Sequence, residues 1–365
     1  MKRQLIILFF LIGANGCVLI PHLIPFNNIP QPTGFYSIGT QIFEWEDVNR
    51  EEWFTEDIGD FRLLVVQLWY PTLEESDQVV SYIDSPDKRI GPLSKRIELP
   101  QFLIRHIQDV KSNAILNAPI RIDNNLYPLI LFSHGLGGMR MQNTVQMEEL
   151  ASRGYVVVAM DHPYDANVTV YNDGTIAEFR SGLSEDASEK EFWDVRIPQI
   201  NTRADDLSFI INKINLLNDN GDQLWKSVNL SKIGVFGHSY GGATSVLASF
   251  NDNRIDACIA LDGWMEPIES KIIQEGLDIP FLYIGQEKWI DTPLNDKKRD
   301  SLIISSNGKK VLLSGTKHFD YSDTPQFSPI STKFGIAGSM DIHSLRNKIN
   351  SEIVLFFDLY VRQAK

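Results

Sequence analysis

The feature that most constrains the fold of this chain is a single serine set between a strand pattern and a helix pattern. Ser239 stands in the run Gly-His-Ser-Tyr-Gly-Gly, after the apolar residues 233–236 and before the helical pattern of residues 241–250. Glycines on both sides remove side chains that would collide, so the serine can occupy a sharp turn with strained backbone angles. Its hydroxyl then lies at the start of a helix, where negative charge is favoured. The pattern predicts a nucleophilic serine; the alternative is a glycine-rich turn with an idle serine.

Short apolar runs alternate with helical patterns along most of the chain. Strands are predicted at residues 62–70, 129–133, 155–160, 233–236, 257–261, 280–284 and 310–313, and helices at 141–153, 203–217, 241–250 and 344–359. This alternation is typical of βαβ units that build a parallel sheet. Together with the strand–serine–helix motif, it predicts an α/β-hydrolase fold with a mostly parallel central sheet and helices on both faces. Residues 32–365 are expected to form one catalytic domain.

Composition and charge exclude several classes of function. The chain has 365 residues, 43% of them hydrophobic, which is enough to bury a large core without metals or crosslinks. Its net charge of −13 argues against a nucleic-acid partner, because phosphate binding needs clustered Lys and Arg. The cysteines, Cys17 and Cys258, are too few and too far apart in sequence for a disulfide framework or a Cys-based metal site.

The N-terminus has the pattern of an export signal. Lys2 and Arg3 precede an apolar run at residues 5–12, which is short for a membrane span. The following Ala-Asn-Gly-Cys at residues 14–17 resembles a bacterial lipoprotein cleavage box, in which Cys17 becomes the lipidated first residue. We therefore expect a signal peptide at residues 1–16, a proline-rich tether at 17–31 and an exported protein held at the membrane. An uncleaved anchor and a soluble secreted form are the alternatives.

The serine needs a base to remove its proton. In folds of this kind the order along the chain is serine, acid, histidine, so the base must follow Ser239. Only His318 and His343 do so. His318 lies in a loop directly after the strand predicted at 310–313, whereas His343 lies at the closing helix and is expected to be a surface or packing residue. The pattern therefore predicts His318 as the base.

Two carboxylates are candidates for the third member of the triad, which orients the imidazole and stabilises its charged form. Asp262 closes the strand predicted at 257–261. Glu287 follows the next predicted strand, at the place where most proteins of this fold carry their acid. The residue pattern alone leaves both open.

The oxyanion that forms during attack needs two backbone N–H donors. Tyr240, directly after the nucleophile, is expected to supply one. Leu136, in the glycine-rich loop at residues 133–138, is expected to supply the other. His134 in this loop precedes the nucleophile in the chain, so we expect it to shape the loop by hydrogen bonding.

Residues 99–116 interrupt the alternation of strands and helices. Apolar residues there have the spacing of one face of a short helix, namely Phe102, Leu103, Ile104 and Ile107. The favoured interpretation is a helix packed on the sheet. The alternative is a flap near the acyl pocket or a face that contacts a membrane.

Several of these segments together resemble the secreted, plasma-type platelet-activating-factor acetylhydrolase family. The similar segments are PTGFYSIGT at residues 32–40, VQLWYP at 66–71, FSHGLG at 132–137, GHSYGGAT at 237–244 and LDGWM at 261–265. The resemblance extends discontinuously from about residue 32 to the C-terminus and indicates a bacterial member of the family.

The resemblance implies Asp262 as the acid, because in that family the aspartate follows the strand after the nucleophile's helix. It also implies calcium-independent hydrolysis of short or oxidised acyl chains of phospholipids through an acyl-enzyme, without metal or organic cofactor. The ester or phospholipid substrate itself stays open, because pocket shape sets acyl preference. General carboxylesterase activity, polyester or lactone hydrolysis and a non-catalytic surface lipoprotein are the alternatives. The oligomeric state is not indicated by the sequence.

Overall fold

The computed structural model describes residues 20–124, 126–184, 186–221, 223–289 and 292–363. Within these ranges nine strands form one sheet in the order β11-β10-β9-β8-β4-β5-β2-β1-β3, and β6 pairs with β7 separately. The strands are β1 Ser37–Glu51, β2 Phe61–Thr72, β3 Ala114–Leu116, β4 Tyr127–Ser133, β5 Val156–Asp161, β6 Val168–Val170, β7 Ile176–Glu178, β8 Val228–His238, β9 Ala257–Leu261, β10 Phe281–Gln286 and β11 Lys309–Leu313.

The helices surround this sheet. They are α1 Pro86–Arg96, α2 Gln101–Ile104, α3 Thr144–Ala151, α4 Glu189–Asn220, α5 Gln223–Lys226, α6 Tyr240–Asn251, α7 Ser270–Glu275, α8 Pro293–Ser305, α9 Thr324–Phe327 and α10 Ile342–Phe357. Short 3₁₀ turns cover Arg105–Asp109 and His318–Tyr321, and a π turn at Asp358–Arg362 continues α10.

The sheet is mostly parallel, as predicted. Strands β5, β4, β8, β9, β10 and β11 pair in parallel, whereas β2 is antiparallel to both β1 and β5. In a parallel sheet the carboxyl ends of the strands lie along one edge, and that edge is where such folds place their sites. The loops after β4, β8, β9, β10 and β11 therefore meet there. The α/β-hydrolase architecture expected from the sequence is confirmed.

Alternate residues of the central strands enter two apolar cores on opposite faces of the sheet. In β4, Leu129 and Leu131 lie in one core, while Ile130 and Phe132 lie in the other. Helices α4 and α6 cover the first face, and α3 and α10 cover the second. Strands buried on both faces are continuous apolar runs, which is why the sequence pattern located them well.

Some elements differ from the sequence prediction. Helix α4 begins fourteen residues before the predicted residue 203, at Glu189, where Ser188 and Glu191 form a capping box. It continues through Pro198, which the sequence pattern does not lead one to expect inside a helix. Strand β1 was not predicted, because its solvent-facing side carries a run of charged residues beside Trp45.

The proline-rich segment before residue 34 lies against the domain. The Ile29 side chain is buried, and its N–H donates to the Lys111 carbonyl at 2.8 Å. The Thr33 N–H donates to Glu149 Oε2 at 2.9 Å. The ring of Phe26 stacks on His106 with centroids 4.5 Å apart. From Ile24 onward the segment predicted as a tether is therefore attached along its length.

Residues 99–116 form α2, the 3₁₀ turn and β3. Ile104 and Ile107 are buried in a separate apolar cluster, together with Ile29, Tyr82, Ile90, Val110, Met141 and Val145. The helix therefore packs on this cluster rather than on the sheet cores, and Phe102 is exposed. In the described part of the chain, none of the helices combines the length and apolarity needed to cross a bilayer. The predicted signal peptide and Cys17 lie outside the described residues.

Candidate active site

Ser239 occupies the turn between β8 and α6 with φ +57° and ψ −119°. This backbone conformation is strained for a residue with a side chain. The flanking glycines are required by close approach: a Cβ on Gly241 would lie 1.9 Å from the Ser133 carbonyl oxygen, and one on Gly237 would lie 2.2 Å from the Gly241 oxygen. The turn is held by the Ser239 N–H, which donates to the Leu261 carbonyl at 3.0 Å. The serine side chain is therefore presented at the head of α6, half-buried, where an attacking group belongs.

Asp262 and His318 meet at the carboxyl edge of the sheet. His318 Nδ1 lies 2.7 Å from Asp262 Oδ2, with the carboxylate buried and the imidazole 28% exposed. Because a carboxylate only accepts, the Nδ1–H donates, and in the neutral imidazole Nε2 is then the acceptor. This tautomer is the one that can take a proton from a hydroxyl.

The Asp262 carboxylate is held by further donors. Its Oδ1 accepts from the Gln286 N–H at 3.0 Å, from Trp289 Nε1–H at 3.2 Å and from the Tyr283 hydroxyl at 3.3 Å. Its Oδ2 also accepts from Gln286 Nε2–H at 2.8 Å. These bonds fix the direction in which the carboxylate faces His318.

The other candidates lie elsewhere. Glu287 is exposed and accepts from the Ser314 hydroxyl at 2.8 Å, and His343 is exposed on α10 beside Arg346 at 3.2 Å. Of the two carboxylates left open by the residue pattern, the structure brings Asp262 to His318 and leaves Glu287 at the surface.

The loop after β4 leaves one amide free for an oxyanion. The Gly135 N–H donates to Gln142 Oε1 at 3.3 Å, the Gly137 N–H to the Asp165 carbonyl at 2.7 Å, and the Gly138 N–H to the Gly135 carbonyl at 2.9 Å. Among the described residues, no acceptor faces the Leu136 N–H. The loop lies against the nucleophile, since a Cβ on Gly135 would be 3.2 Å from that of Ser239.

The other expected donor, the Tyr240 N–H, opens α6 directly after the nucleophile. An amide in the first turn of a helix has no acceptor within that helix. His134 shapes the loop as expected: its Nδ1 lies 2.7 Å from the Gly135 carbonyl, and its Nε2 accepts from the His162 N–H at 3.1 Å.

His238 joins the oxyanion loop to the base loop. Its Nε2 lies 3.0 Å from the His318 carbonyl oxygen, and its Nδ1 lies 2.5 Å from Gln142 Nε2. Gln142 in turn accepts from the Gly135 N–H. Burial, together with the neighbouring His318, holds the pKa of His238 well below its ordinary value, so the ring is neutral and donates through Nε2 alone. The rings of His238 and Trp289 lie 4.6 Å and 4.7 Å from that of His318 and restrict its position.

A second Ser-His-Asp chain lies behind the oxyanion loop. Ser133 Oγ is 2.9 Å from His162 Nε2, and His162 Nδ1 is 2.8 Å from Asp206 Oδ2. All three side chains are fully buried, and Arg203 Nη2 donates to Ser133 Oγ at 3.0 Å. Burial and the charge of Arg203 lower the pKa of His162 to about 3. No substrate can reach this serine, so we interpret the chain as support for the loop above it.

The sequence reasoning missed the residues that position the site. Gln142 and Trp289 stand in no motif, and each contacts residues that are distant in sequence. His238 stands directly before the serine that was already assigned, so nothing marked it separately. A weak signal was present for Gln286, since it ends β10 at the carboxyl edge of the sheet. No cluster of three or more metal-binding side chains occurs in the described ranges.

Known proteins resemble this chain over most of its length. The model of the family "Platelet-activating factor acetylhydrolase, isoform II" matches residues 24–360. A platelet-activating factor acetylhydrolase of Canis lupus familiaris is 31% identical over 320 residues, which cover 81% of this chain and 68% of the dog protein. One from Cavia porcellus is 27% identical, over 90% of this chain and 74% of its own length. A probable 1-alkyl-2-acetylglycerophosphocholine esterase of Arthroderma benhamiae is 26% identical, over 70% of this chain and 65% of its own.

A solved structure has the same architecture. A ferulic acid esterase from Streptomyces cinnamoneus superposes with a TM-score of 0.73 at 25% identity, covering 92% of this chain and 93% of the esterase. The likeness therefore spans the whole sheet and its surrounding helices.

Proposed function

This chain belongs to the platelet-activating factor acetylhydrolase isoform II family, and we propose that it hydrolyses short or oxidised acyl esters of phospholipids with Ser239 as nucleophile. It is a carboxylic ester hydrolase, as its relatives are named. The observation that carries the assignment of residues is the 2.7 Å hydrogen bond from His318 to the buried Asp262, beside a strained serine turn.

The first half of the reaction forms an acyl-enzyme. His318 Nε2 takes the proton of the Ser239 hydroxyl as the oxygen attacks the ester carbonyl carbon. Asp262 stabilises the imidazolium that results. The N–H groups of Leu136 and Tyr240 bind the oxyanion of the tetrahedral intermediate, which removes much of the energy barrier because these donors are already in place.

The second half regenerates the serine. The imidazolium gives its proton to the leaving alcohol oxygen as the ester bond breaks. Water then attacks the acyl-enzyme while His318 removes a proton from the water, and the same donors hold the second oxyanion. When this intermediate collapses, its bond to the Ser239 oxygen breaks, and His318 returns the proton to that oxygen. The products are the carboxylic acid and the alcohol, and the step requires no metal or organic cofactor.

The names of the relatives support a glycerophospholipid with a short acyl chain as substrate, since one is named a 1-alkyl-2-acetylglycerophosphocholine esterase. The likeness to a ferulic acid esterase supports a second candidate, a general carboxylesterase on the same residues. Rates on acetyl, butyryl and long-chain phospholipids, measured beside a nitrophenyl and a feruloyl ester, separate the two candidates.

Replacing Ser239 with alanine tests the nucleophile. Hydrolysis of a short-chain nitrophenyl ester and of an acetyl phospholipid should fall by about 10⁵ or more, because the attacking oxygen is removed. The wild-type protein should react with a fluorophosphonate probe at Ser239 and the variant should not, while its circular dichroism stays unchanged. Retained activity in a folded Ser239→Ala protein contradicts the assignment, and an unreactive wild-type protein would support a non-catalytic lipoprotein instead.

We also propose that the protein is exported, with residues 1–16 as signal peptide, residues 32–365 as catalytic domain and Cys17 as a lipidated residue that holds it at the membrane. The charged and apolar pattern at the N-terminus supports export. The mass of the mature N-terminus distinguishes a lipidated Cys17 from a secreted form and from an uncleaved anchor.

A further inference from the structure

Arg96, the last residue of α1, lies on the oxyanion loop. Its Nη2 donates to the Leu136 carbonyl at 2.7 Å, and its guanidinium carbon is 5.1 Å from the ring centroid of Phe179. The guanidinium approaches the loop so closely that a Cβ on Gly137 would lie 2.3 Å from its central carbon. The side chain is nevertheless exposed at the surface of the protein.

This cation has no carboxylate partner in the described part of the chain. By contrast, Arg89 and Arg140 both pair with Asp161, at 2.8 Å and 2.6 Å. A hydrogen bond to the Leu136 carbonyl needs only a neutral donor, so the loop contact does not explain the charge. In a protein of net charge −13, a cation on the oxyanion loop without a carboxylate partner among the described residues is suited to an anionic substrate group.

We propose that Arg96 binds the phosphodiester of the substrate and thereby selects phospholipids over neutral esters. This inference rests on the proposed function. In a glycerophospholipid the phosphorus lies about 6 Å from the carbonyl carbon of the neighbouring sn-2 ester when the linking bonds are extended. Arg96 donates to the carbonyl of the same residue whose N–H is proposed to bind the oxyanion, so its guanidinium lies on the loop that is proposed to face the ester.

The Arg96 guanidinium has further N–H donors available to bind a phosphate. It carries five N–H groups in a planar fork, and the Leu136 carbonyl occupies one of them. An arginine with free N–H groups can bind two phosphate oxygens at once, and the charge strengthens both hydrogen bonds. The other arginines near the nucleophile, Arg196 and Arg203, are buried against the Tyr240 ring and cannot reach a headgroup.

The test compares two substrates that differ only in the headgroup, 1-alkyl-2-acetylglycerophosphocholine and 1-alkyl-2-acetylglycerol, both below their aggregation concentrations. In Arg96→Gln the ratio of kcat/KM for the phospholipid to that for the neutral lipid should fall at least about tenfold, mainly through the KM of the phospholipid. Arg96→Lys, which keeps the charge but not the fork, should give an intermediate ratio. Arg105→Gln removes an exposed cation from the same region, 3.8 Å from Asp87, and should leave the ratio unchanged.

Salt provides a readout that does not depend on a variant. The wild-type preference for the phospholipid should fall as sodium chloride is raised, because the attraction is screened, and in Arg96→Gln it should be flat. If Arg96→Gln does not fold, the salt dependence in the wild type and in Arg96→Lys carries the test.

Four results would overturn the inference. Equal losses on both lipids in Arg96→Gln would mean that Arg96 only supports the loop, and an unchanged ratio would mean that it does not meet the headgroup. A wild-type protein that cleaves nitrophenyl esters but neither lipid overturns the proposed substrate class, and this inference with it. A wild-type protein that cleaves both lipids with a ratio indifferent to salt and to residue 96 overturns the inference alone.

Discussion

Replacing Asp262 with asparagine tests the triad most directly, because the change keeps the shape of the side chain and removes its charge. The carboxylate accepts three hydrogen bonds at Oδ1 and two at Oδ2. The new NH₂ group must take one of these places. At Oδ1 it would face a backbone N–H, an indole N–H and a hydroxyl. At Oδ2 it would face His318, which can change tautomer, and an amide of Gln286, which can rotate.

The NH₂ group is therefore expected at the Oδ2 position, opposite His318. His318 Nδ1 then becomes the acceptor, and the ring proton moves to Nε2, the atom that is proposed to take the serine proton. A protonated Nε2 cannot take the proton of Ser239. In serine hydrolases this wrong tautomer lowers kcat by about 10⁴, which corresponds to about 5.5 kcal/mol of transition-state stabilisation.

The assay is steady-state hydrolysis of a short-chain nitrophenyl ester, with the melting temperature as a check on folding. Glu287→Gln is the matched control, since it makes the same chemical change at the other carboxylate that the residue pattern allowed. Glu287 holds one exposed contact to Ser314, so its kcat should stay within about twofold of the wild type.

A folded Asp262→Asn protein that keeps more than about a tenth of the wild-type kcat would contradict the assignment of Asp262, because its charge and the His318 tautomer would then be dispensable. The assignment also fails if Glu287→Gln loses as much as Asp262→Asn. A loss of activity with a strongly lowered melting temperature calls for a second variant, Trp289→Phe, which removes one donor to Asp262 and should lower kcat without changing the residues of the triad.

Two further predictions concern groups outside the triad. Ser133→Ala removes the hydroxyl bonded to His162 and Arg203, so the free energy of unfolding measured in urea should fall by about 1–3 kcal/mol. Esterase activity should stay within about tenfold of the wild type. Complete loss of fluorophosphonate labelling would show that the buried Ser133-His162-Asp206 chain does more than support the loop. Burial raises the pKa of Glu148 to about 7 from its ordinary 4.5, so the folded state binds this proton more tightly than the unfolded state does. The free energy of unfolding should therefore decline by up to about 3 kcal/mol as pH rises between these two values. In Glu148→Gln, the free energy of unfolding measured in urea should be nearly independent of pH over this range. The same pH dependence in the variant as in the wild type would contradict the pKa shift.

The sequence locates the parts of the site that depend on local geometry. The strand–Ser239–helix turn needs glycines at fixed positions, and those positions are visible in one stretch of sequence. His318 could be selected because it follows a strand and because the fold fixes the order of the triad. The structure places both residues where that reasoning expected them, in loops at the carboxyl edge of the sheet.

Other features could not be deduced from residue patterns because they depend on the directions of loops. Asp262 and Glu287 both follow neighbouring strands, and only the backbone turn at Asp262, with φ +42°, directs one of them toward His318. The family resemblance pointed to Asp262, where the residue pattern left both carboxylates open. The contacts of Gln142 and Arg96 join loops that are far apart in sequence, and neither residue stands in a recognisable motif.

The packed N-terminal segment limits the distance between the catalytic domain and a membrane to which the protein is anchored. His106 lies 2.6 Å from the Ile24 carbonyl, so the chain is fastened to the domain from that residue on. With a lipid on Cys17, the linking segment would be residues 18–23, which span at most about 25 Å fully stretched. A hydrogen bond from the Ile24 N–H to the Ile20 carbonyl, at 2.8 Å, shortens it further. Such an enzyme would act on esters that lie in the membrane surface or reach it, and not on esters dissolved at a distance from that surface.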